Sequence, residues 1–82
     1  MPIRGPDGSE EPVSLGDTFR LHRERGGQPL EAACRLVTHP SGWELRLEIG
    51  GWLQRSQVCR SRDEVLATSD HWRAAMVKNG WR

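Results

Sequence analysis

The chain has 82 residues, which is enough for one small domain. Hydrophobic residues make up only 35% of it, and no apolar run is long enough for a signal peptide or a membrane span. The net charge of +1 argues neither for nor against a polyanionic partner. Because no apolar run fits a secretory segment, we expect a cytoplasmic protein in which the two cysteines, Cys34 and Cys59, stay reduced.

Residues 1–30 contain four of the five prolines and five of the nine glycines. This composition predicts a flexible or partly ordered N-terminal segment, of which the first sixteen residues form a tail. Residues 17–25 fit either a short helix ended by the Gly26-Gly27 pair or a short strand in which Phe19 and Leu21 share a face. Both alternatives remain open from the sequence.

Three strands are predicted after this segment. Residues 32–38 alternate in the manner of a strand, with Cys34 on one face and Arg35 on the other. Residues 43–49 give the clearest pattern, because four apolar side chains alternate with three charged ones. The Gly50-Gly51 pair is typical of a two-residue hairpin turn, so residues 52–60 are expected to return beside the second strand.

A helix is predicted after the hairpin. Ser61 and Glu64 form a capping box, and Gly80 ends the helix at about Asn79. The side chains expected to face the sheet lie on one stripe: Val65, Thr68, Ser69, Trp72 and Met76. The predicted fold class is thus α+β, a three-stranded antiparallel sheet packed by one C-terminal helix (β-β-β-α) in residues 31–82.

The hairpin turn predicts the strand register. A regular ladder pairs Ile49 with Trp52, and continues with Leu47–Gln54, Leu45–Ser56 and Trp43–Val58. A four-residue loop at residues 39–42 pairs the first two strands, with Thr38 opposite Trp43, Leu36 opposite Leu45 and Cys34 opposite Leu47. In this register the outer face of the sheet carries a row of three arginines, Arg35, Arg46 and Arg55. Like charges side by side are unfavourable, which leaves two interpretations of the row. Either Glu44 and Glu48 neutralise the arginines, or the arginines form an anion-binding site.

No catalytic or metal-binding pattern is found. Cys34 and Cys59 fall on opposite faces in the predicted register, so they cannot form a disulfide. They also lack the spacing of a metal pair, and the three histidines show no ligand pattern. The sequence therefore predicts no enzymatic activity, no cofactor, no metal and no small-molecule substrate.

The order of three strands and a helix, with W-x-L-x-L in the second strand, resembles the plant ethylene-response type of DNA-binding domain and the N-terminal domains of some phage integrases. The resemblance covers about residues 32–78 and implies a sheet that lies in the major groove. The Arg-Gly start of the plant domain is absent. Residues 31–82 carry eight basic and six acidic side chains, a net of +2, whereas those domains carry denser positive charge.

We therefore expect a small binding module that acts on a protein partner or on a second copy of itself. The small core favours a homodimer, because a second copy would cover an apolar face. Nucleic-acid binding by the arginine face is the alternative. The candidate binding face comprises Arg35, Arg46, Arg55, Gln57, Trp52 and Leu53.

Overall fold

The computed structural model describes residues 11–82, which form a four-stranded antiparallel sheet with one helix packed on it. The strands lie side by side in chain order. The elements are β1 (Ser14–Arg25), β2 (Gln28–His39), β3 (Gly42–Ile49), β4 (Trp52–Cys59) and α1 (Arg62–Lys78). The α+β class and the C-terminal helix are confirmed, whereas the prediction of three strands is wrong. The part of the predicted tail that precedes Glu11 lies outside the described residues.

The additional strand is β1, so the strand alternative for residues 17–25 is the one found. Phe19 and Leu21 are buried and pair with Cys34 and Ala32 of β2. The Gly26-Gly27 pair links the two strands, with φ angles of 58° and 78°, a conformation that glycine adopts without steric cost. This glycine pair is therefore a hairpin turn of the same kind as Gly50-Gly51, and it does not end a helix.

The predicted register is confirmed between β2 and β3 and is wrong between β3 and β4. Ile49 pairs with Trp52 as expected and Glu48 pairs with Leu53, but a β-bulge follows that second pair. Gln54 has no partner in the ladder, so two residues of β4 oppose one of β3. The pairs beyond the bulge are Leu47–Arg55, Arg46–Ser56, Leu45–Gln57, Glu44–Val58 and Trp43–Cys59.

The bulge reverses which side chains of β4 face the helix, because successive residues of a strand point to opposite faces. Arg55, Gln57 and Cys59 lie on the helix side, and Ser56 and Val58 lie on the outer side. The two cysteines consequently share one face of the sheet, so their predicted separation on opposite faces is wrong. Both are free and buried.

The helix begins at the predicted cap. The Ser61 hydroxyl accepts a hydrogen bond from the Glu64 amide at 3.1 Å. The Glu64 carboxylate accepts in turn from the amide of Arg60, at 2.8 Å, and not from that of Ser61. The helix ends at Lys78, with Asn79 as its C-cap. These contacts satisfy backbone groups that a helix end leaves open.

One continuous core lies between the sheet and α1. The buried helix residues Val65, Ser69, Trp72 and Met76 agree with the predicted stripe. After the helix, the amide of Trp81 donates to the carbonyl of Met76 at 3.1 Å, and the indole is buried. The sheet supplies the remaining buried members, which are Phe19, Leu21, Ala32, Cys34, Leu45, Leu47 and Cys59.

Candidate interaction surfaces

The outer face of the sheet is a lattice of alternating charges. Arg35 and Arg46 pair directly across β2 and β3, as predicted. Each guanidinium also contacts carboxylates: Arg35 lies 3.9 Å from Asp17 and 3.7 Å from Glu48, and Arg46 lies 3.7 Å from Glu44. These ion pairs balance the two like charges locally. The sequence reasoning named both glutamates but missed Asp17, because β1 was not expected beside β2.

Arg55 does not belong to this face. It lies on the helix side of β4, where its guanidinium carbon stands 4.6 Å from the centre of the Trp72 ring. Gln57 also faces the helix, and its side-chain amide donates to the Thr68 hydroxyl at 3.3 Å. The predicted row of three arginines is therefore wrong, and two members of the candidate face are committed to contacts with α1.

Trp52 and Leu53 are exposed at the start of β4. Trp52 is 77% exposed and Leu53 is 48% exposed, although both are large apolar side chains. Val58, on the same strand, is 38% exposed on the outer face. The sequence reasoning missed Val58, because the regular register had turned it towards the core. Val37, which pairs with Glu44 across β2 and β3, is buried.

The β1 edge of the sheet is blocked. His22 exchanges two backbone hydrogen bonds with Arg82, at 2.8 and 2.9 Å, so the residue after Trp81 lies along this edge as a short bridge. Two register shifts interrupt β1 between Ser14 and Phe19. The strand also carries five charged side chains, Asp17, Arg20, Arg23, Glu24 and Arg25. Bulges, charges and a covering segment are the usual devices that stop a strand edge from pairing.

The β4 edge lacks most of this protection. Arg55 is the one charged residue of Trp52–Cys59, and its side chain turns towards Trp72. The Gln54 bulge is the only such device that we find on β4 among the described residues. Six of its eight residues are exposed. β4 therefore presents an open backbone edge flanked by apolar side chains.

A shallow apolar groove lies on the helix side of the sheet, between the start of β1 and the first turns of α1. Leu15 is 52% exposed and Leu66 is 62% exposed at its rim. Trp43 and Leu36 form part of its floor. Among the described residues that line the groove, Arg62 is the one charged side chain, and a single charge does not define a ligand.

The two cysteines are poorly suited to act as nucleophiles. Burial raises the pKa of the Cys34 thiol and of the Cys59 thiol above the usual range. Within residues 11–82, no group of three or more His, Cys, Asp or Glu side chains could hold a metal ion. Over the same residues, α1 falls short of the length and apolar character needed to cross a bilayer.

Comparison of the chain with protein-family models, with curated proteins and with solved structures found no match.

Proposed function

We propose that the chain is a non-enzymatic protein-binding module that binds through the β4 edge. The observation that carries this proposal is the combination of an open edge with a tryptophan that is 77% exposed at its start. Exposed strand edges bind extended segments through main-chain hydrogen bonds, and the flanking side chains give specificity. Trp52 supplies the kind of large, rigid side chain on which protein interfaces concentrate their binding energy.

The apolar side chains near Trp52 support a protein partner. Leu53 and Val58 stand on the outer face of β4, on either side of Ser56. A strand added to this edge would cover both side chains while its backbone pairs with β4. Apolar burial would then add to the hydrogen bonds of the ladder.

The state of the cysteines supports the absence of enzymatic activity. A nucleophilic cysteine needs an accessible thiolate, whereas Cys34 and Cys59 are buried and their pKa values are raised. Their buried, unbridged thiols are also those of a protein in a reducing compartment, which supports a cytoplasmic location.

Photo-cross-linking in cells tests the β4 proposal. We expect Leu53→p-benzoylphenylalanine to give discrete protein adducts. The matched variant Leu66→p-benzoylphenylalanine, exposed on the helix, is expected to give none. A second-site change on the same edge, Val58→Lys, should suppress the Leu53 adducts, and it leaves the fold intact because Val58 faces Glu44 across the sheet. Adducts of equal yield from both positions, or adducts that ignore Val58→Lys, would contradict the proposal.

Nucleic-acid binding through Arg35 and Arg46 is the weaker proposal. It is supported by two arginines directly opposite each other, and it is weakened by the three carboxylates that contact them. Phosphate would have to displace these ion pairs. A duplex-DNA anisotropy titration at low salt tests this alternative, since binding to phosphates would be steeply salt-dependent. We expect no anisotropy change.

A further inference from the structure

We propose that the partner of β4 is a second copy of the same chain, paired antiparallel about a two-fold axis at Ser56. This inference rests on the proposed function and names its partner. It would join two four-stranded sheets into one sheet of eight strands.

The first step is the spacing that the bulge creates on the outer face. In β3, Glu48, Arg46 and Glu44 are spaced by two residues and oppose Leu53, Ser56 and Val58 in turn. Leu53 and Val58 therefore lie at equal distances from Ser56, roughly 7 Å on either side. Without the bulge, Leu53 and Val58 would point to opposite faces. The bulge thus gives the outer face of β4 a symmetric order of apolar, serine and apolar side chains.

The two-fold axis determines which residues of the two copies face each other. An axis through Ser56, perpendicular to the sheet, places Leu53 opposite the partner's Val58 and repeats that contact by symmetry. Arg55 and Gln57 also flank Ser56 evenly on the helix side, opposite Leu47 and Leu45. Arg55 therefore faces the partner's Gln57, and no like charges meet directly. Self-complementarity of this kind is what a two-fold interface requires.

The proposed assembly is closed at two copies. Within residues 11–82, each copy has one open edge, because β1 carries the Arg82 bridge, two register shifts and five charged side chains. Pairing through β4 therefore uses up the open edge of both copies. The assembly ends at two chains and does not grow into a fibre. A single-strand interface is small, so we expect dissociation in the micromolar range.

Light scattering across micromolar concentrations tests the dimer. We expect the mass to rise from 9.3 kDa towards twice that value. Ser56→Glu and Ser56→Lys should each weaken the dimer by about tenfold or more, since each variant places two like charges against each other on the axis. An equimolar mixture of the two variants should restore the dimer, because opposite charges then meet. Leu66→Glu, away from β4, is the matched control and should leave the dimer unchanged.

Cysteine cross-linking gives a second measurement that does not depend on charge. Ser56→Cys should form an intermolecular disulfide rapidly under mild oxidation, because a residue on the axis meets its own copy. Leu66→Cys should not. Circular dichroism and thermal melting are the control measurements that test whether each variant is folded.

Two outcomes would overturn the inference and separate it from the proposed function. A mass of 9.3 kDa at all concentrations, with Leu53 adducts to a different protein, would refute the homodimer and leave the β4 edge as the binding element. A dimer that survives both Ser56 charge variants and is lost in Leu66→Glu would refute the homodimer through β4, because the contact would then lie on the helix. Adducts from Leu66 in place of Leu53 would refute the proposed function as well.

Discussion

Arg55 of β4 lies over Trp72 of α1, with the guanidinium carbon 4.6 Å from the ring centre. This contact joins the edge strand to the middle of the helix, on the side of the sheet that carries the core. It also explains how an arginine can occupy a position that faces the helix. The charged guanidinium lies over the face of the indole, while the residue as a whole stays exposed to solvent.

We predict that Arg55→Ala lowers the free energy of unfolding by about 1 kcal/mol, since both the cation–π contact and the packing are lost. Arg55→Met keeps the packing and should recover about half of that loss. Urea unfolding at protein concentrations well below the micromolar range measures both values without a contribution from self-association. Arg46→Ala is the control, because its ion pair with Glu44 is solvent-accessible and should contribute less than about 0.5 kcal/mol. A larger effect at Arg46 than at Arg55 would contradict the assignment.

The hairpin register shows where sequence reasoning reached its limit. The alternation of residues 43–49 predicted β3, and the loop at residues 39–42 predicted its pairing with β2 correctly, because both depend on local periodicity and turn chemistry. The bulge at Gln54 has a weaker local signal, which is that a regular ladder would have placed the polar side chains of Gln54 and Ser56 on the helix side. That pattern does not fix the position of the extra residue. One unpaired residue therefore moved Arg55 off the candidate face.

The failure to predict β1 from the sequence has a different cause. Residues 17–25 combine two buried apolar side chains with five charged ones, so their pattern is weak. β1 belongs to the sheet because it pairs with β2 and because Arg82 pairs with its other side, contacts far apart in sequence. Such long-range pairing cannot be predicted from local propensity.

We predict that the protein loses stability at alkaline pH because of its two thiols. Their pKa values are raised in the folded state, so the unfolded chain releases protons first and is favoured above about pH 8.5. The contribution is fully present below that pH and is lost as the pH rises towards the folded-state pKa values.

Thermal or urea unfolding between pH 7 and pH 10 measures this loss. The double variant Cys34→Ala with Cys59→Ala should be less stable at neutral pH but should show a flatter alkaline slope. Each thiol accounts for at most about 1.4 kcal/mol per pH unit. Identical slopes in the two proteins would show that other groups cause the loss.

We predict that Gly42→Ala is strongly destabilising. Gly42 has a φ angle of 140°, and a Cβ atom there would collide with the carbonyl oxygen of Cys59 and lie 3.2 Å from the Cα of Arg60. Both obstacles are backbone atoms beside the β3–β4 pair, so we expect a loss of about 3 kcal/mol or more. Gly51→Ala is the control. Its φ of 84° is also unfavourable, but nothing lies within 4 Å, so about 1 kcal/mol is expected. Equal losses would mean that the close approach at Gly42 is not rigid.

We predict that Trp81 contributes to the stability of the fold, whereas Trp52 contributes to binding. Trp81 is buried, lies 5.5 Å from the guanidinium carbon of Arg23, and follows Asn79, whose carbonyl accepts a hydrogen bond from Arg23 at 3.1 Å. Trp81→Ala should therefore cost about 3–4 kcal/mol of stability. Trp52→Ala should change the free energy of unfolding by less than about 0.5 kcal/mol, because its side chain is largely solvated.

Binding is expected to follow the opposite order. If β4 is the binding element, Trp52→Ala should weaken the dimer measured by light scattering by about tenfold or more, since exposed tryptophans that become buried at interfaces often contribute over 1 kcal/mol. Trp81→Ala, studied well below its melting temperature, should dimerise as the unaltered protein does. A Trp52→Ala protein that dimerises normally would leave the exposed indole without a role in self-association, and would restrict the interface to the strand backbone, Leu53 and Val58.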